Sequence, residues 1–301
     1  MENKLLSIIS KIEVLDPMNA KKLKASIPFQ DGEYWSRANE FINKYERLLQ
    51  SMNKTIDFGI ECYLKVCADT LYEQIQFAKT REYSCKSFAD ANRMIYGNPE
   101  VMEYYMHGLM LSQFLWVHHY EILKYFSTEL IRYRENTVRY LEVGGGHGLY
   151  ISEAIKLLGA EVSFDVVDIS PSSIEMAKSF IVNSRVNYYL QDIYLYVTGS
   201  PYDFIAMGEV LEHVEQPVEL LQKISGLLSD EGKVFITVPA NAPAIDHIYL
   251  FRNIREVRDV LDRGGFNVID ERVVFAEKVP QGKAGNITVP FIYSAFLRKK
   301  K

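Results

Sequence analysis

Two stretches of the chain carry side chains suited to chemistry. In Gly208-Glu-Val-Leu-Glu-His-Val214, two carboxylates and an imidazole fall within a few residues of one another. If a helix begins here, Glu209 lies three residues from Glu212 and four from His213, so the three share a face. Such a set can bind a cation through oxygen and nitrogen. Without a cation, neutral His213 can take a proton near pH 7 as a general base. The plainer use of the two acids is to favour a helix N-terminus through its dipole. The second stretch, Leu141-Glu-Val-Gly-Gly-Gly-His-Gly-Leu-Tyr150, alternates Gly144, Gly146 and Gly148 behind Glu142. Glycines in this pattern remove side chains where backbone approaches a ligand, and the N–H groups opening the next helix favour an anionic group. The dinucleotide spacing G-x-G-x-x-G fails, because Leu149 stands where its last glycine belongs.

These residues need a scaffold, and the pattern around them is that of an α/β sheet. Apolar, β-branched runs at 138–143, 161–169, 186–190, 202–207, 233–238, 266–275 and 287–297 read as seven strands. Stretches of helical spacing at 150–158, 220–228 and 254–261 fall between them. Alternation of this kind implies a parallel sheet covered on both faces. The last two strands follow each other without a long helix, which predicts an antiparallel pair. Asp168 ends the second strand a little over 20 residues past the glycine turn, where open α/β sheets place the carboxylate that takes a ribose diol. Its alternative use, as a helix N-cap before Pro171, is better served by Ser170. Gly208 closes the fourth strand.

Glu142 with the three alternating glycines resembles the E/D-x-G-x-G-x-G motif of class I S-adenosylmethionine (SAM) methyltransferases, and the downstream acids follow in the family's order. The resemblance covers roughly residues 138–299. It implies a Rossmann-like seven-stranded sheet with an antiparallel last strand inserted beside the fifth. It further implies that Glu142, Gly144, Gly146 and Gly148 hold the methionine part of SAM. Asp168 with Ile169 would hold the ribose, Asp192 with Ile193 the adenine, and Gly208 would border the site. The E-x-x-E-H segment is similar to that of ubiquinone-pathway O-methyltransferases and to the metal site of small-RNA 2′-O-methyltransferases. In the latter a second histidine before an aromatic completes the site, and Asp246-His247-Ile-Tyr-Leu-Phe251 looks like that element. The implied ligand set is Glu209, Glu212, His213 and His247. Such donors suit magnesium, manganese, iron or zinc.

The resemblance does not reach the helical half. Helical spacing at 5–12, 33–51, 56–78, 87–96 and 100–133, broken at Pro17, Pro28, Gly32, Gly97 and Pro99, marks residues 1–135 as an all-helical domain preceding the SAM-binding domain, 136–301. The segment 104–120 is apolar or aromatic on nearly every face, which a helix tolerates only when packed all round. Most of those aromatics read as core. A helical cap would also exclude water from the transfer site, so Tyr105, His107, Trp116 and His119 are candidates to face the acceptor. The apolar half could equally bury a homodimer interface.

A net charge of −5 and a pI near 5.8 argue against general nucleic-acid binding. No run approaches the roughly 20 apolar residues of a membrane helix, and the first residues lack a signal-peptide profile, so the expectation is a cytoplasmic protein with no membrane partner. Cys62, Cys67 and Cys85 are odd in number and lack paired spacing, which predicts reduced thiols. The expected activity is SAM-dependent methylation of a small molecule, foremost at oxygen, in specialised-metabolite biosynthesis and with a divalent metal assisting. RNA 2′-O-methylation, N- or C-methylation, and a non-catalytic SAM-binding subunit are the alternatives.

Overall fold

The computed structural model describes residues 3–27, 31–276 and 289–300. Before the sheet the chain is helical. In α1 (Lys4–Leu15) the stripe Leu5, Ile8, Ile9 and Ile12 is buried, and Asn3 caps the first turn by accepting from Leu6 N. Asp16 then caps α2 (Pro17–Ser26), whose first residue is a proline that needs no N–H donor there. α3 (Gly32–Ser51) and α4 (Ile56–Thr80) follow, then a single turn α5 (Phe88–Ala91) that widens into a π-turn, Asn92–Tyr96. The break expected at Pro28 lies outside the described residues.

The helix expected over 100–133 is two helices. α6 (Pro99–Leu115) ends at Trp116, whose extended backbone (φ −100°, ψ 109°) starts α7 (Val117–Leu130). No proline or glycine marks the break. A tertiary contact accompanies it: the Trp116 indole N–H donates to Tyr63 OH at 3.0 Å. The new direction also lets Tyr125 and Phe126 of α7 meet Phe235 and Phe296 on the sheet. α6 is buried on nearly every side, as its composition requires, and Gly108 lets it approach Cys62 and Val66 of α4 closely.

The sheet has seven strands in the order β3-β2-β1-β4-β5-β7-β6. They are β1 (Arg139–Val143), β2 (Ser163–Asp168), β3 (Val186–Leu190), β4 (Tyr202–Gly208), β5 (Leu228–Ala240), β6 (Phe266–Phe275) and β7 (Phe291–Lys299). β7 runs antiparallel between β5 and β6, and the other neighbours are parallel. Residues 287 and 288, where the last strand was expected to begin, lie outside the described residues. α8 (Leu149–Leu157), α9 (Pro171–Phe180), α10 (Pro217–Leu227) and α11 (Ile254–Arg263) make the crossovers.

Alternation along the strands divides the core. Tyr140, Phe164, Phe204, Phe235 and Phe296 face one way and join a single cluster with α1, α3, α6, α7, α8 and α9. Leu141, Val167, Ile205, Ile236 and Leu297 face the other and pack with α10 and α11. The helical half is thus continuous with one side of the sheet. Strand order reverses at β1, flanked by β2 and β4, so the carboxyl ends of these strands open a crevice at a topological switch point.

Candidate functional site

The glycine turn sits at that crevice. Gly144, Gly146 and Gly148 all have left-handed backbone (φ +66°, +48° and +76°), a region that non-glycine residues enter only at a cost. A Cβ on Gly144 would stand 2.6 Å from Val210 Cγ2, and one on Gly148 2.7 Å from Ile181 Cδ1. The turn is therefore bare of side chains both for its own conformation and for its packing. Gly146 N donates to Asp168 Oδ2 at 3.1 Å, and Ser170 N to Oδ1 at 2.8 Å. Ser170, not Asp168, caps α9, accepting from Ser173 N. Asp168 is buried, and desolvation raises its pKa against those N–H groups. Glu142, at the end of β1, accepts from Tyr140 OH at 2.9 Å, and burial pushes its pKa up to about 8.

A cleft of about 1590 Å³ runs from this turn to the helical half. Glu142, Gly144, Gly146, Asp168, Ile169, Asp192, Ile193 and Gly208 line it, as do Tyr105, Trp116 and His119. Gly148 shapes the turn from behind, as the residue before α8. Ile193 is nearly buried, while Asp192 is half-exposed with Oδ1 accepting from Tyr194 N. His107 does not line the cleft, contrary to expectation. It is wholly buried in the helical core, hydrogen-bonded through Nδ1 to Tyr45 OH at 3.0 Å and packed edge-on to Phe58. Burial lowers its pKa to about 4, so it is a neutral core histidine.

Across the cleft, Glu212, His213 and His247 each place one ligand atom within 4.8 Å of the others. The helix expected from Glu209 does not form. Glu209 itself is left-handed (φ +54°), and a 3-10 turn, Leu211–His213, follows before α10. With that twist the Glu209 carboxylate is held by Thr237, whose Oγ1 donates to Oε1 at 2.7 Å. Glu209 lines the cleft but lies outside the cluster of three. Its pKa rises to about 7, chiefly through burial.

Hydrogen bonds fix the imidazoles. His247 Nδ1 lies 2.7 Å from the Ala242 carbonyl, and His213 Nδ1 3.0 Å from the Asp246 carbonyl. A carbonyl only accepts, so both Nδ1 atoms carry a proton, and burial lowers the pKa of His247 to about 4, which leaves its Nε2 a lone pair. His213 Nε2 is 3.4 Å from Glu212 Oε1. Glu212 is fully buried, and neither of its carboxyl oxygens has a hydrogen-bond partner among the described residues. Burial, then the neighbouring Glu209, raises its pKa. Three potential electron-pair donors thus converge on one point. A cation, a proton on Glu212 or a proton on His213 Nε2 resolves that arrangement.

Composition and spacing did not reveal two further groups. Asp246 accepts from Tyr105 OH at 2.9 Å and from Tyr96 OH at 3.2 Å, and Tyr96 OH also lies 3.0 Å from His213 Nδ1. The helical half therefore holds the ring of His213 directly. Asp246 stood beside His247 in the sequence, but Tyr96 is 117 residues from its partner and carries no local signal.

A family model described as a methyltransferase domain matches residues 116–272. The chain is 32% identical over 126 residues to a ubiquinone biosynthesis O-methyltransferase of Xanthomonas euvesicatoria pv. vesicatoria, covering 40% of this chain and 50% of that protein. The corresponding protein of Xanthomonas oryzae pv. oryzae (strain PXO99A) is 34% identical over 111 residues, 35% of this chain and 45% of that one. The chain therefore spans about half the length of the curated relatives it matches. Among solved structures, mitomycin 7-O-methyltransferase MmcR aligns over 77% of this chain and 67% of its own, with a TM-score of 0.52 at 13% identity, a likeness of fold.

Proposed function

The chain belongs to the class I SAM-dependent methyltransferases, and on that premise we propose that it methylates an oxygen of a small-molecule acceptor, with a divalent cation held by Glu212, His213 and His247. The observation that carries the metal reading is the pair of orphaned Glu212 oxygens beside the ring nitrogens of His213 and His247. Both imidazoles donate their other N–H to backbone carbonyls, the outer arrangement that orients histidine ligands. When bound, such a cation would supply a Lewis acid that makes an acceptor hydroxyl easier to deprotonate. Magnesium, manganese, iron or zinc each suit this mixture of oxygen and nitrogen donors.

The chain's own residues supply binding and alignment. The bare turn Gly144–Gly148 fits the methionine part of SAM beside Glu142, Asp168 fits the ribose diol, and Asp192 with Ile193 the adenine. Residues 1–135 act as a cap that selects the acceptor and excludes water, with Tyr105 and Trp116 on its inner wall. An aromatic, largely apolar wall in a chain of net charge −5 suits a neutral small molecule of specialised metabolism better than RNA. The test follows the label from [methyl-14C]SAM added with the protein to a cell extract. Label in the small-molecule fraction, stable to base as an ether, supports the proposal; label in RNA or as an N-methyl product contradicts it.

Glu142 gives this reading a pH signature. Its pKa in the folded, ligand-free chain is about 8 against an ordinary 4.5, so it holds a proton at pH 7. Native protein binds more protons than unfolded chain across that window, so the Glu142 contribution to stability is present below about pH 4.5 and is lost as pH rises through 8. The cofactor's ammonium group calls for the carboxylate, so binding releases the proton. Affinity for S-adenosylhomocysteine is expected to rise by up to tenfold per pH unit between about 6 and 8. Calorimetry at pH 7 in phosphate and in Tris should reveal release of up to one proton, and a buffer-independent heat would refute the pairing.

A further inference from the structure

Six residues of α6 line the cleft, Met102, Tyr105, Met106, Leu109, Gln113 and Leu115, and Trp116 follows just past its end. From Met102 to Gln113 their spacing of three or four residues, apart from the adjacent Tyr105 and Met106, is that of one helical face, so this part of α6 forms a continuous wall. At a rise of 1.5 Å per residue, Tyr105 and Gln113 stand roughly 12 Å apart along it. The Tyr105 end touches the cluster, since its hydroxyl donates to Asp246, whose carbonyl holds His213. The middle of the wall, Met106 and Leu109, is apolar.

Gln113 is different from its neighbours. It is 94% buried (6% exposed), yet its Nε2 has no acceptor among the described residues. Close by, the Trp116 indole N–H is committed to Tyr63, and His119 Nδ1 lies 3.0 Å from Ser112 Oγ. A buried amide left without a partner costs more than an apolar side chain of the same shape, so its presence on a cleft wall points to a partner that arrives with the ligand.

We infer that Gln113 recognises the far end of the acceptor, donating to a carbonyl, carboxamide or similar oxygen about 12 Å along α6 from the end where methylation takes place. The acceptor class is an elongated molecule with an apolar middle, a methylatable hydroxyl at one end and a hydrogen-bond-accepting group at the other. This inference rests on the methyl-transfer reading above and adds the shape and polarity of the substrate.

The test uses the full chain saturated with S-adenosylhomocysteine and two probes, 4-hydroxybiphenyl and 4′-hydroxybiphenyl-4-carboxamide, titrated by calorimetry. The carboxamide should bind up to tenfold more tightly, the range of one hydrogen bond to a neutral group, and the ratio should fall to about one in Gln113→Leu. In ligand-free protein, Gln113→Leu should raise Tm by about 2–4 °C, because it removes an unmet donor, whereas an amide with a structural role would lower it. Equal affinities in the native chain, failure of both probes to bind, a preference that survives in Gln113→Leu, or a fall in Tm would each overturn the inference. Native chain that takes up S-adenosylhomocysteine but shows no probe preference sinks this inference alone. Failure to bind S-adenosylhomocysteine sinks the methyl-transfer reading with it.

Discussion

Asp168→Ala is expected to weaken S-adenosylhomocysteine binding on the order of 100-fold while leaving the fold intact, as read by calorimetry and circular dichroism. The carboxylate stands at the end of β2 with one oxygen on Gly146 N and the other on Ser170 N, so it ties the glycine turn to the start of α9. A ribose diol would add two hydroxyl donors to the same oxygens. Each hydrogen bond to a charged group contributes roughly 1.5–3 kcal/mol, partly offset when the hydroxyls return to water, and the remainder corresponds to about two powers of ten. The variant also releases Gly146 N, so the turn loses an anchor. Asp168→Asn retains an acceptor and should fall between the two. A change of less than threefold in Asp168→Ala would remove Asp168 from the cofactor site.

The second large effect concerns the cation. Purified protein is expected to carry about one equivalent of a divalent ion, and Glu212→Ala, His213→Ala or His247→Ala to lower its affinity by at least about 100-fold, since direct ligands matter more than the outer partners whose loss costs 10–100-fold. Tyr96→Phe removes outer contacts to His213 and Asp246 and no direct ligand, and a loss of about tenfold is expected. Glu209→Gln should have the smallest effect of these, because its carboxylate accepts from Thr237 and lies outside the cluster. Metal analysis of the set separates the alternatives. An ion-free native chain with undiminished methyl transfer in chelator would mean that a proton, not a cation, lies between Glu212 and His213 Nε2, and would end the metal reading.

What the sequence disclosed follows from the range of each interaction. The strands and the glycine turn were legible because their signals are local: β-branched runs, alternating faces, and glycines at three positions that prove left-handed. The antiparallel end of the sheet was legible from the short connection before β7. The bend at Trp116 was not, because no proline or glycine marks it and the contact that accompanies it, to Tyr63, is 53 residues away. His107 was misread for a similar reason: on an apolar helix nothing local distinguishes the side facing α3 and α4 from the side facing the cleft. Glu209 was assigned to a helical face that its positive φ prevents from forming. Tyr96 became visible only in space, since the π-turn that presents it has no strong sequence signature.

These outcomes depend on one claim, that the crevice above β1, β2 and β4 takes up SAM. Calorimetric titration of the purified, folded chain with S-adenosylhomocysteine measures it most directly. Saturable one-to-one uptake, accompanied by proton release at pH 7 and weakened on the order of 100-fold in Asp168→Ala, is the predicted result. A folded chain that takes up neither S-adenosylhomocysteine nor SAM at millimolar concentration would contradict it.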